Sequence, residues 1–182
     1  YLEFRLRRYL TFAEFKSELA PHFGLGLEGY ATWTSPIRKY SDMVNHRLIK
    51  AVLTQQACEK PQDEVLARLQ EARRQNRLVE RDIADWLYCR YLADKVAENA
   101  EFDAEVQDVM RGGLRVQLLE NGASMFVPAS TLHPNKDEMQ VNADELALYI
   151  QGERRYKIGD LVKVKLTEVR EETRSIVGQL II

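Results

Sequence analysis

Residues 34 to 40 read Thr-Ser-Pro-Ile-Arg-Lys-Tyr, and they set two cations where the positive end of a helix favours an anion. Ser35 is suited to cap a helix through its hydroxyl, and Pro36 to occupy the first helical position. Arg38 then stands third, where a capping box would carry Glu or Gln. Arg38 and Lys39 beside unpaired backbone N–H groups form a site for phosphate, and the planar, permanently charged guanidinium suits two phosphate oxygens. The alternative is an ordinary helix start with Arg38 paired to Asp42 one turn on.

Other residues with chemical potential are scattered. Basic runs occur at Arg5, Arg7, Arg8 and at Arg73, Arg74, Arg77, each readable as a nucleic-acid contact or as a solvated helix face. Arg111, Arg115 and Arg174 offer phosphate contacts or ordinary solvated charge. Glu80, between Arg77 and Arg81, reads as a surface salt-bridge array or as an acid beside a bound strand. His22, His46, His133, Cys58 and Cys89 lack the close spacing of a metal site, and Asp42, Asp82 and Asp85 have ordinary helix-pair explanations, so no metal site is assigned within the chain. The halves on either side of residue 98 carry +2 and −4, making the net −2, so any nucleic acid must be held by local clusters. Two isolated cysteines make no disulfide framework, and no apolar run is long enough for a membrane; a reduced cytoplasmic setting is expected.

Two kinds of element must position these residues. Ile37, Tyr40, Val44, Leu48 and Ala51 recur at helical spacing, and residues 63–98 continue one long amphipathic pattern without Gly or Pro. The two helices are expected to form an antiparallel pair, with Tyr40 in the core and a buried stripe of Val79, Ile83, Trp86 and Leu87. Residues 1–19 are a mixed pattern that leans towards helix. From residue 101 the period shortens to two: Ala104–Val109, a Gly112-Gly113 turn and Leu114–Leu118 form a hairpin. Ser124–Pro128, Leu161–Val169 and Ser175–Ile181 complete five strands, with an insert from Thr131 to Leu146 between the third and fourth. Five short strands suggest a small closed barrel.

The run from Gly26 to Leu53, with its Thr-Ser-Pro-Ile-Arg-Lys-Tyr, Asp42 and His46-Arg47, resembles the signature of the ribonuclease II (RNB) family. His22-Phe23-Gly24-Leu25 and Asn76-Arg77…Glu80-Arg81-Asp82 fit it too, and the resemblance covers essentially the whole chain. It implies an α+β organisation: residues 1–99 as the mostly helical C-terminal portion of a catalytic domain, and residues 100–182 as a five-stranded OB-fold barrel. The barrel is similar to the RNA-binding domain named after ribosomal protein S-one, most specifically in Tyr156…Gly159-Asp160-Leu161-Val162-Lys163-Val164. Where such domains carry aromatics and a His, the matching positions are Gly112, Arg115 and Pro128, so base stacking is expected to be weak there.

The family's activity is 3′-to-5′ hydrolysis of single-stranded RNA to 5′-mononucleotides with magnesium, whose aspartate ligands lie upstream of this motif. The chain, which opens without Met, is therefore expected to be an inactive piece of an enzyme that is monomeric when intact. By the same resemblance Arg38 is the active-site arginine, Ser35 and Lys39 orient the helix start and screen neighbouring phosphates, and Arg77 and Glu80 lie along the RNA path. Arg174 falls where the turn between strands four and five carries a basic residue. The alternatives are a non-catalytic RNA-binding module and a protein-interaction fragment.

Overall fold

The computed structural model describes residue 6 and residues 9–181, which form two compact units, one from Leu10 to Val79 and one holding the chain from Glu80 on. The basic run Arg5, Arg7, Arg8 lies outside the described residues.

In the first unit, helix α1 spans Tyr40–Leu53 and helix α2 begins at Asp63, running to Leu92 in the second unit. The expected start of α1 at Ser35 is corrected by four residues. Lys39 is the N-cap, with extended φ −120° and ψ 107° and no side-chain capping bond. The carbonyl of Ser35 accepts from the N–H groups of Arg38 (3.2 Å) and Lys39 (2.9 Å), closing a separate turn ahead of the helix. The third helical position thus falls on Asp42, an acid where the helix dipole favours one.

Three further expectations fail here. Of the segment 1–19 expected to lean towards helix, Leu6 is helical, residues 1–5, 7 and 8 lie outside the described residues, and residues 10–19 form no helix; Phe12 and Phe15 lie beneath the guanidiniums of Arg77 and Arg73 at 5.4 and 5.6 Å, and Gln70 donates to the Ala13 carbonyl. Within this unit α1 and α2 do not pack as a helix pair. Nor are the supposed core residues buried: Ile37 is fully exposed, Tyr40 is 57% exposed, and Val79, Ile83, Trp86 and Leu87 all lie at the surface of the chain. Helical periodicity identified an apolar stripe correctly, but among the described residues nothing covers it.

The second unit is built on a closed barrel. Strands β1 (Glu101–Met110), β2 (Gly113–Leu118), β3 (Ser124–Pro128), β7 (Leu161–Arg170) and β8 (Ser175–Leu180) are ordered β1-β2-β3-β8-β7, with β7 returning to β1. Alternation drives the assembly. Phe102, Ala104, Val106, Leu114, Val116, Leu118, Met125, Val127, Val164, Leu166 and Ile176 point inward and are buried, with charged residues such as Glu101, Asp103 and Arg115 between them. Register shifts after Val106 and after Leu166 bend β1 and β7, which helps a five-stranded sheet to close. Cys89 and Leu92, at the end of α2, join this core.

The insert is longer and more ordered than its sequence suggested. After a one-turn helix α3 (Ala129–Leu132), strands β4 (Met139–Asn142), β5 (Ala147–Ile150) and β6 (Glu153–Lys157) form a separate antiparallel sheet. Tyr156 lies in β6, and Gly159-Asp160 leads from it into barrel strand β7.

Candidate nucleic-acid interface

The turn carrying Arg38 is strapped to α1. Asp42, buried with no exposed surface, accepts from the Thr32 hydroxyl through Oδ1 and from the Ser35 N–H through Oδ2 at 2.9 Å, with the Ser41 hydroxyl at 3.3 Å. Asn45 Nδ2 donates to the Thr32 carbonyl at 3.0 Å, and His46 Nε2 donates to the Trp33 carbonyl at 2.8 Å. Because a carbonyl can only accept, His46 carries its proton on Nε2. Asp42, Asn45 and His46 follow the i, i+3, i+4 rule for one helix face, so a single face of α1 grips residues 32–35. The indole of Trp33 meets the His46 ring edge-on at 6.3 Å.

Burial pushes the Asp42 carboxyl up. The Thr32 hydroxyl, the Ser35 N–H, the charge of Lys39 and the Ser41 hydroxyl outweigh this, and it lies below the usual carboxylate range. It is therefore an anion at neutral pH.

Arg38 projects from this strapped turn into solvent. Its guanidinium makes no hydrogen bond or ion pair with any described residue, and the alternative pairing with Asp42 is absent. Lys39 is exposed beside it. Ser35 acts through its backbone, its N–H held by Asp42 and its carbonyl closing the turn, rather than as the helix cap. In the same unit Arg77 is exposed but stacked on Phe12. Its neighbours in that basic run are also engaged: Arg73 lies over Phe15, and Arg74 makes two 2.8 Å bonds to Glu71, holding that carboxyl down to about 2 with help from Gln75.

In the second unit Glu80 is exposed and forms no ion pair among the described residues, so the salt-bridge array drawn from sequence does not form around it. Arg174, at positive φ in the β7–β8 turn, donates to Asp82 at 2.7 Å. Arg111 and Arg115 are exposed and unpaired, Arg111 in the β1–β2 turn and Arg115 on the outer face of β2. Directly across from Arg115 stands Phe126 of β3, which faces Val177 of β8 on its other side. Phe126 is half-buried and points outward, so this face offers one ring as well as a free guanidinium. Gly112 leaves that ring open, since even a methyl there would sit 3.8 Å from its edge.

Sequence reasoning missed Thr32, Asp42, Asn45 and His46 as a strap, and missed Phe126. The helix-face spacing of Asp42, Asn45 and His46 was a usable signal. So was the alternation of Met125, Phe126 and Val127, which puts the middle residue outside.

The comparisons with known proteins bear on this arrangement. Residues 1–55 match the RNB domain and residues 95–180 match the S1 RNA binding domain. Exoribonuclease 2 of Haemophilus influenzae (strain 86-028NP) is 87% identical over 181 residues, and that of Pasteurella multocida (strain Pm70) is 77% identical over 180. Over essentially its whole length the chain is similar to one part of exoribonuclease 2, with the RNB match followed by the S1 match. It is covered completely, or to 99%, by these two relatives, yet spans only 28% and 27% of their length. Among solved structures, Mycoplasma genitalium RNase R in complex with ribose methylated single-stranded RNA matches 97% of this chain. The match covers 28% of that protein, with a TM-score of 0.77 and 23% identity. Candida glabrata Dss1 exoribonuclease matches 99% of the chain and 21% of its own, with a TM-score of 0.73 and 15% identity. These two likenesses concern the fold. No helix among the described residues is long and apolar enough to cross a membrane.

Proposed function

We propose that the chain is the part of a 3′-to-5′ hydrolytic exoribonuclease that supplies a phosphate-holding arginine and an RNA-binding barrel. The intact enzyme would shorten single-stranded RNA from a free 3′ end to 5′-mononucleotides, in the cytoplasm and as a monomer. Residues 1–99 would form the end of its catalytic domain and residues 100–182 its barrel. The observation that carries this reading is Arg38: an exposed, unpaired guanidinium on a turn fixed by a buried carboxylate, within a sequence 87% identical to an exoribonuclease 2. A fixed, uncommitted cation is what stabilisation of charge building on a phosphoryl group requires. Ser35 and Lys39 support it, and Arg115 with Phe126 would hold RNA on the barrel.

The similarity to exoribonuclease 2 implies a metal-dependent reaction, with magnesium the expected ion. No group of three or more His, Cys, Asp or Glu among the described residues could hold it. The residues described do not fit a metal site, and the contribution derived for them is charge and grip on the RNA. In the full-length enzyme Arg38→Ala should lower turnover by about 10²–10³-fold, the usual cost of removing one charge-stabilising donor; near-normal turnover would overturn the reading. The chain alone, given magnesium and a 3′-ended RNA, should bind without shortening it. Chelator-sensitive shortening would show that it holds its own metal ligands.

A further inference from the structure

The buried carboxylate of Asp42 has a role beyond complementing the dipole of α1. It is the one charged residue fully buried among the described residues, and its two oxygens are used on different parts of the same segment. Oδ1 takes the Thr32 hydroxyl and Oδ2 takes the N–H of Ser35, whose carbonyl in turn receives the N–H groups of Arg38 and Lys39. Asp42 thus holds Ser35 by its N–H, and the carbonyl of the same residue, one peptide unit on, holds the backbone of Arg38. The Asn45 and His46 bonds to the carbonyls of residues 32 and 33 anchor the near side of the turn but do not reach Ser35. Only Asp42 fixes the point where the turn begins. The Arg38 guanidinium has no hydrogen bond or ion pair with a described residue, so its placement depends on that backbone path.

We infer that Asp42 is a positioning residue for Arg38: its buried carboxylate sets the turn that aims the guanidinium at the phosphate. The inference rests on the phosphate-binding reading of Arg38. The carboxylate accepts on both oxygens. An amide accepts on one only, so it must give up the Ser35 N–H or reverse its bond with the Thr32 hydroxyl, and it removes the charge that both bonds satisfy. The arginine remains on the chain but loses its fixed direction, and a misplacement of about 1 Å at a reacting group can cost about 10²-fold in rate.

The experiment is a double-mutant cycle in the full-length exoribonuclease, read as single-turnover shortening of a 3′-ended RNA and as KM and kcat separately. Asp42→Asn alone should lower kcat by about 10–100-fold with KM nearly unchanged. In the Arg38→Ala background it should lower it no further, because there is no guanidinium left to aim. If Asp42→Asn reduces the Arg38→Ala enzyme as much as it reduces the parent, the carboxylate acts only on general stability and the inference fails. Should Asp42→Asn fold poorly, Thr32→Val carries the same test by removing one hydroxyl from the strap, with the same coupling expected and the same additive result fatal. If Arg38→Ala itself has no effect, the phosphate-binding reading fails first, which separates the two.

Discussion

The two adjacent glycines of the β1–β2 turn should respond oppositely to the same added methyl. Gly113 has φ +143°, and a Cβ built on it would stand 2.0 Å from the Val127 carbonyl oxygen, 2.9 Å from the Ala129 nitrogen and 3.0 Å from the Pro128 carbonyl carbon. All three are backbone atoms of the neighbouring strand and the turn after it, and Ala129 N–H is bonded to the Gly112 carbonyl at 2.7 Å, so none can move without opening the β2–β3 pairing. The unfavourable φ costs about 1–3 kcal/mol, and the displaced strand adds to it, giving about 3 kcal/mol or more for Gly113→Ala. For a unit of roughly 100 residues this is a loss of about 12 °C or more in Tm. Gly112 has an ordinary φ, and its added methyl would meet only the edge of Phe126 at 3.8 Å, a normal contact. Gly112→Ala should therefore melt within about 2 °C of the parent. Thermal unfolding followed by the β-sheet circular dichroism signal measures both. A tolerated Gly113→Ala, or an equal loss from Gly112→Ala, would mean that the hairpin does not have this geometry, and the placing of Arg111, Arg115 and Phe126 on one surface would lose its support.

On the barrel face, Phe126→Ala should weaken single-stranded RNA binding by about 5–150-fold, the worth of one stacked base, and leave the salt dependence of binding unchanged. Arg115→Ala should instead lower the slope of log K against log salt by about 1, while Arg174→Ala, already paired with Asp82, should change it less; titrations at three salt concentrations distinguish these outcomes. The strap should respond to acid. Because the Asp42 carboxyl lies below its ordinary 3.8 in the folded chain, its contribution to stability is complete above that value and is lost as pH falls through the lower folded value. Chemical denaturation from pH 7 down to pH 3 should show a loss on the acid side that Asp42→Asn largely removes, and a difference between the two proteins that stays flat with pH would contradict this.

The barrel was legible because its signal is local. Alternation from Ala104 to Val106 and from Leu114 to Leu118, punctuated by Gly112-Gly113 and Asn121-Gly122, marks the strand faces and the hairpin, while the bulge after Val106 shifts the register before Val109. The insert was less so: β6 reads Glu-Arg-Arg-Tyr-Lys, a charged run with little burial, and the four-residue strands β4 and β5 are shorter than a periodic pattern needs. At the Arg38 turn, Ser35-Pro36 carries good local helix-start chemistry. It was overruled by a contact seven residues away, the Ser35 N–H held by Asp42, which no propensity scale contains. Burial of the helical stripe was unreadable for another reason: periodicity reports which face is apolar, and what covers that face is not encoded in the helix itself.

The cations divide by what they are already doing. Arg73 and Arg77 lie on aromatic rings, Arg74 is forked onto Glu71, and Arg174 is held by Asp82. To take a phosphate, each would have to give up part of an existing contact, and the net gain shrinks accordingly. Arg38, Arg111 and Arg115 lose nothing but water. Of these three, only Arg38 stands on backbone fixed by a fully buried charge, and burying an ion is costly unless it is satisfied by hydrogen bonds as Asp42 is. Those hydrogen bonds run to Thr32 and Ser35, ten and seven residues away, so the buried charge ties down the turn that carries Arg38, and under the proposed reading that fixed direction is what a phosphate-stabilising arginine needs and a solvated one lacks.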